Sequence, residues 1–213
     1  MKEKITEEAK RLFYDEGYNK TACSRIAEAC GLSQGGLFYH FQTKNDIGNA
    51  VYSSYMINLK NIIAKKFYEQ YMTYDLQLGT AIETMYEIKM LSEDQNARRF
   101  YCEFFKSNIA NLYKTNIIEF YKLHDYKYDL HLDNENDELK MIAIETHVAS
   151  VGLNLAYFDG EINTSLDFLV NAAIRIPYEL MKIPSEKVED IITNTRRVAK
   201  ELDLKIKPYF EVE

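Results

Sequence analysis

Residues 21–46 read TACSRIAEACGLSQGGLFYHFQTKND, and no other segment restricts the fold of this chain as much. Ile26, Ala27 and Cys30 form the apolar side of a two-turn helix. Gly31 stands where a tight turn needs either a left-handed backbone or no side chain. Leu32 plugs that turn, and Ser33 is placed to cap the next helix. This second helix, residues 34–41, is about two turns long. It is dense in groups able to touch DNA, while Leu37 and Phe41 are expected in the core. Two short helices joined by a glycine-containing turn make a helix-turn-helix, whose second helix enters a major groove N-terminus first.

Helical periodicity dominates the rest. Ile5, Ala9, Leu12 and Phe13 share one face of a first helix that ends near Gly17. The pattern predicts helices near 2–16, 23–30, 34–41, 44–72, 75–91, 93–106, 108–123, 137–158, 164–182 and 185–203. Their starts are read from Thr43 with Asp46, Ser92 with Gln95, Thr164 with Asp167, Asn136 and Ser185. Residues 124–135 are the one long polar connection, and Pro177 either kinks the ninth helix or begins a new one. Strand-like alternation is nearly absent. The expected fold class is all-α: an N-terminal three-helix head carrying the helix-turn-helix (residues 1–46) and a larger helical body (47–213).

Charge limits where nucleic acid can be met. The chain carries a net charge of −7, yet residues 1–50 hold seven basic and seven acidic groups. The remaining 19 basic and 26 acidic residues carry the whole excess. An acidic body repels phosphate, so DNA contact must be confined to the neutral head. No apolar run approaches the roughly 20 residues that cross a bilayer, and Met1-Lys2-Glu3-Lys4 leads into an amphipathic pattern. The expectation is a cytoplasmic chain without a membrane partner. Cys23 and Cys30 lie seven apart, about 10 Å along a helix, which is too far for a disulfide. They read as small buried apolar residues, ahead of redox sensing or metal capture, and the three cysteines agree with a reducing compartment.

From Ile5 to Val51 the sequence resembles the TetR family of transcriptional regulators. An apolar first helix, Gly-Tyr, a Thr, Ile-Ala-x-x-x-Gly-Leu-Ser and Gly-x-Leu-Phe-Tyr-His-Phe-x-x-Lys follow the family's order and spacing. The resemblance implies that Gln34 reaches a base edge, that Tyr39 and His40 touch sugar-phosphate and neighbouring bases, and that Lys44 pairs with phosphate. Thr21 would position the backbone contact made by the N-terminus of the second helix. Ser24, Arg25, Ser33, Gly35, Gly36 and Phe38 complete the expected DNA-facing set. Three positions depart from the family pattern. Phe38 stands where Tyr is frequent, Gly36 where Thr or another base-contacting side chain is frequent, and Ser24 where Arg is common. They imply fewer side-chain readouts and more dependence on DNA shape or water.

The resemblance further implies a homodimer on double-stranded operator DNA, released by a small-molecule effector bound in the body; the regulator is read as a repressor. Met141, Ile144, Val148, Val151 and Leu155 form an apolar stripe, and Ala149, Gly152 and Ala156 are small enough for close helix approach. Val148, Val151, Gly152, Leu155 and Ala172 are therefore the candidate dimer contacts. Fourteen of 17 tyrosines and eight of 11 phenylalanines follow residue 50. Such a body suits an apolar or aromatic effector, with Phe67, Met85, Tyr101, Phe105, Tyr113 and His147 as candidate lining residues. His124, His131 and His147 fit no metal-ligand spacing. The dinucleotide, phosphate-loop, nucleophile-elbow and zinc-protease motifs are absent from the sequence, so no enzyme and no cofactor are expected.

Overall fold

The computed structural model describes residues 1–112, 118–132 and 136–213. Among them run α1 (Lys2–Glu16), α2 (Cys23–Ala29), α3 (Gln34–His40), α4 (Lys44–Tyr71) and α5 (Leu76–Glu93). They are followed by α6 (Gln95–Ser107), α7 (Ile118–Tyr128), α8 (Glu138–Phe158), α9 (Leu166–Leu180) and α10 (Ser185–Leu202). A short antiparallel hairpin, β1 (Ile206–Lys207) and β2 (Glu211–Val212), ends the chain. The architecture is all-α apart from that hairpin.

Two compact units emerge. The first joins Met1–Ile62, Lys89–Asn108 and Leu204–Glu213; the second joins Ile63–Ile88 and Ile109–Asp203. The unit containing the head is thus larger than residues 1–46 and is not one continuous stretch. Its interior explains why. Phe13 stacks on Phe100 of α6 at 5.6 Å, and Phe100 meets Phe210 of the hairpin at 5.0 Å. Three remote segments of sequence therefore complete one aromatic core. Gly48 of α4 lets α6 come close, since a Cβ there would lie 2.5 Å from the Phe104 ring.

In the second unit, Tyr121, Ala143, Ile174, Tyr178 and Val188 centre a core drawn from α7 to α10, with Ala81 and Ile88 of α5. α8 packs against both α7 and α9. It is long and apolar enough to cross a membrane by length and composition, with mean hydropathy 1.2, but its Leu139, Ile142 and Ala143 belong to this core. α9 continues through Pro177 to Leu180, so the proline does not begin a new helix.

Several helix starts differ from the sequence expectation. α6 is capped by Asp94, which accepts from the Asn96 and Ala97 amides at 2.9 and 3.0 Å, and not by Ser92. α9 is capped by Ser165 rather than Thr164, and α10 starts after Pro184 with Ser185 as its first residue. Residues 124–128 are the last turns of α7, not part of a polar connection. The expected helix 108–123 begins instead as a 3-10 turn, Ile109–Asn111. The terminal hairpin was not expected.

Candidate nucleic-acid interface

The turn between α2 and α3 closes by backbone bonds that only a left-handed residue allows. Gly31 has φ +70°. Its N–H donates to the Glu28 carbonyl at 2.9 Å, and the Leu32 N–H donates to Ala27 at 2.8 Å. This pair of bonds satisfies the last carbonyls of α2. No atom lies within 4 Å of a Cβ built on Gly31, so conformation rather than space requires glycine there. Ser33 then caps α3, its Oγ accepting the Gly36 N–H at 3.1 Å.

With both ends fixed, α3 is anchored by one side chain. Leu37 is fully buried, and Phe41 just past the helix end is buried as well. The opposite side of α3 faces solvent. Gln34 and Gly35 are exposed, Phe38 is 36 % exposed, and Tyr39 is 85 % exposed with its ring edge-on to His40 at 5.2 Å. Gln34 and Phe38, four residues apart, share one face. Gly36 is half-buried beside Leu32 and Ser33, on another side of the helix. Ser24 and Arg25 are exposed on α2, and Arg25 is ion-paired with Glu16 at 2.8 Å.

Two residues of the expected set, Thr21 as a positioning residue and Lys44 as a phosphate contact, are turned inward. Thr21 is fully buried, and its hydroxyl donates to the Gly17 carbonyl at 2.7 Å. Its hydroxyl is thus spent on the loop between α1 and α2. Lys44 is turned back from solvent. Its Nζ donates to the Tyr18 carbonyl at 2.5 Å and lies 4.4 Å from the centre of the Tyr18 ring. Burial lowers the proton affinity of this ammonium, against smaller opposing effects of Cys23 and Glu103.

Residues that hold the head were missed in the sequence. Arg99 of α6 donates to the Tyr14 and Asp15 carbonyls at 2.6 and 3.0 Å, placing a cation at the C-terminal end of α1. Glu103 accepts the Asn19 N–H at 2.7 Å. Lys10 of α1 pairs with Glu211 of the hairpin at 3.0 Å. Long-range bonds of this kind leave no periodic signal; only the alternation of Leu204, Ile206 and Val212 hinted at the strands.

The candidate effector residues fall in both units. Tyr101 and Phe105 are buried in the first unit, whereas Phe67, Met85 and His147 belong to the second. Phe67 is itself buried in packing, and Tyr113 lies outside the described residues. An open groove of about 730 Å³ in the first unit is lined by other residues, among them Thr6, Ser54, Ile57 and Phe210. The dimer stripe divides as well. Val151 and Leu155 are already covered within the chain because α8 has neighbours on two sides. Met141, Val148 and Gly152 of α8 remain exposed, as does Phe168 of α9, and Ala172 is half-buried.

Residues 5–51 match the family described as bacterial regulatory proteins, tetR family. The HTH-type transcriptional regulator QacR of Staphylococcus aureus strain Mu50 is 33 % identical over 119 residues, which span 52 % of this chain and 59 % of that protein. The match therefore covers about three fifths of the relative's length. Among solved structures, RolR without ligand superposes with a TM-score of 0.54 at 12 % identity, over 90 % of this chain and 96 % of that one. RolR in complex with resorcinol gives 0.51 at 12 % identity, over 86 % and 93 %. These two likenesses speak to the fold alone.

Proposed function

From the match of residues 5–51 to the tetR family of bacterial regulatory proteins and the partial likeness to QacR, we propose that this chain is a TetR-type DNA-binding transcription regulator acting in the cytoplasm as a homodimer. Residues 1–46 read double-stranded operator DNA, and residues 47–213 supply the effector and dimer functions. The observation that carries this reading is the solvent face of α3: an amide at Gln34, exposed backbone at Gly35, and aromatic rings at Phe38 and Tyr39, all presented by a helix whose only buried side chain is Leu37. Gln34 binds adenine through N6 and N7, and Phe38 offers an apolar contact. Ser24, Arg25 and His40 flank this face, the last beside Tyr39.

A seven-residue reading helix covers too little DNA for tight specific binding. Two copies solve this by placing their helices in successive major grooves about 34 Å apart. The exposed apolar side chains Met141, Val148 and Phe168, with Gly152 and Ala172 between them, support a face where α8 and α9 meet their counterparts in a second copy. A repressor is the simplest regulator of this kind, since a compact dimer on a promoter blocks polymerase without further contacts. Release by a small apolar or aromatic effector is supported by the second unit, which buries Gln77, His124, Thr146, Asn154 and Thr195 within an apolar interior. Such groups orient a ligand's polar atoms. The effector need only favour the DNA-incompetent state by a few kcal/mol.

The test is a mobility shift with DNA flanking the protein's own gene. Gln34→Ala is expected to weaken binding by about 1–3 kcal/mol, or roughly five- to a hundred-and-fiftyfold. Absence of any shift in low salt at micromolar protein overturns the reading.

A further inference from the structure

Phe38 is an apolar ring left exposed on the outer side of a helix whose one core residue, Leu37, is already fully buried. We propose that Phe38 reads the C5-methyl group of thymine, and that each half-site therefore carries this thymine within about two base pairs of the adenine read by Gln34. The inference rests on the DNA-reading proposal above and names the bases which that surface selects.

Three observations carry this. First, Gln34 and Phe38 are both exposed and lie one helical turn apart on the same face. That separation is about 6 Å along the axis, close to two base-pair steps of about 3.4 Å each. Second, the ring of Phe38 neither donates nor accepts a hydrogen bond. The edges that bases show in the major groove carry donors and acceptors, with one apolar group among them, the thymine methyl. A phenyl ring pressed on a donor or acceptor strips it of water and returns no bond, which penalises the other bases at this position. The polar aromatic groups stand elsewhere on the helix: Tyr39 is displaced by roughly 100° around the axis and lies edge-on to His40 at 5.2 Å. Third, nothing inside the chain requires glycine at position 35. Gly35 is exposed in α3, and a Cβ built on it would meet only the Ser33 Oγ, at an ordinary 3.9 Å. Glycine weakens a helix relative to alanine, and its use is close approach of the backbone to a ligand. With no side chain next to Gln34, the helix settles nearer the base edges and the Phe38 ring reaches a methyl.

The reading set is thus one amide and one ring, and both select A·T pairs. The methyl contact acts through apolar burial alone, so it is separable from every hydrogen bond and phosphate contact of the interface.

The test uses the full-length protein, a duplex enriched by it from a random-sequence pool, and copies of that duplex in which thymines are replaced one at a time by uracil. Uracil keeps every hydrogen-bonding atom and lacks only the methyl. At one thymine in each half-site the replacement should weaken binding about fourfold, the worth of one buried methyl. The slope of log affinity against log salt should stay unchanged, and Phe38→Ala should bind the thymine and uracil duplexes equally. Uracil tolerated at every position, or a uracil effect of the same size in Phe38→Ala, overturns the proposal. A second variant keeps the ring, should Phe38→Ala fail to fold. Gly35→Ala should melt no earlier than wild type, because alanine suits a helix, yet bind the enriched duplex more weakly and lose the uracil effect. Full affinity with the uracil effect intact overturns the close approach that the methyl contact needs. Failure to enrich any duplex removes the DNA-reading proposal and this one together, whereas enrichment of a duplex indifferent to uracil removes this one alone.

Discussion

Replacing Thr21 with valine isolates one hydroxyl in the loop that leads into the reading head. Thr21 is fully buried, and its Oγ donates to Gly17 at 2.7 Å, with the Leu12 carbonyl at 3.3 Å. Valine preserves the volume, so no cavity opens; what disappears is the donor. The Gly17 carbonyl keeps the Thr21 N–H, but at 3.3 Å that bond is long. Loss of a good hydrogen bond costs about 1 kcal/mol, and a partly unsatisfied buried carbonyl adds a fraction of its 1–3 kcal/mol desolvation penalty. Relief from burying a hydroxyl offsets some of this, leaving about 1–2 kcal/mol. For a chain of this size that is a fall in melting temperature of roughly 2–8 °C. Thr21→Ser supplies the contrast: it keeps the donor and loses one methyl, about 1 kcal/mol. Thermal melts followed by circular dichroism, paired with binding to an enriched duplex, read both effects. Both variants should melt earlier, and only valine should also weaken specific DNA binding, because only it frees the loop. Valine melting within about 1 °C of wild type with unchanged DNA affinity would refute the assignment of Thr21 to loop shaping.

Phe210→Ala removes the ring that seats the terminal hairpin between Tyr14 and Phe100. Buried Phe→Ala changes cost about 3–5 kcal/mol; limited proteolysis should then cut within residues 204–213, and resistance equal to wild type would contradict the packing. Burial lowers the His147 pKa below its ordinary 6.5. Between those two values the unfolded chain binds more protons, so the stability this residue contributes is present above pH 6.5 and is lost as pH falls through that window. Denaturant midpoints measured from pH 8 to 5 should fall less steeply in His147→Asn; identical slopes would show that His147 is not the group responsible. Phe168→Asp places a charge on an exposed apolar position of α9. Sedimentation should show a folded monomer, and a persistent dimer would exclude this face.

What the sequence disclosed was mostly local. Gly31, Leu32, Ser33 and Leu37 fix the helix-turn-helix through bonds and packing that span a few residues, so spacing alone revealed them. The direction of Lys44 was hidden because it depends on Tyr18, 26 residues earlier. Asp94 displaced Ser92 as the cap of α6 while also accepting the Tyr14 hydroxyl at 2.8 Å, a contact across 80 residues. The apolar stripe of α8 was seen, yet periodicity cannot tell which of its residues an intrachain neighbour covers. Val151 and Leu155 went inward; Val148 did not. The terminal hairpin escaped because its turn lacks the usual glycine and asparagine signals. Tyr209 and Phe210 occupy left-handed conformations at φ +63° and +58°, which costs roughly 1–2 kcal/mol per residue and is offset by burial of Phe210 against Tyr14 and Phe100.

Methylation interference on an enriched duplex tests the DNA-reading dimer most directly, since modification of guanine N7 blocks contact in the major groove. The account predicts two clusters of interfering sites about one helical turn, or roughly 34 Å, apart, both abolished when Gln34 and Tyr39 are replaced by alanine. A single cluster, or interference that survives those replacements, would contradict it.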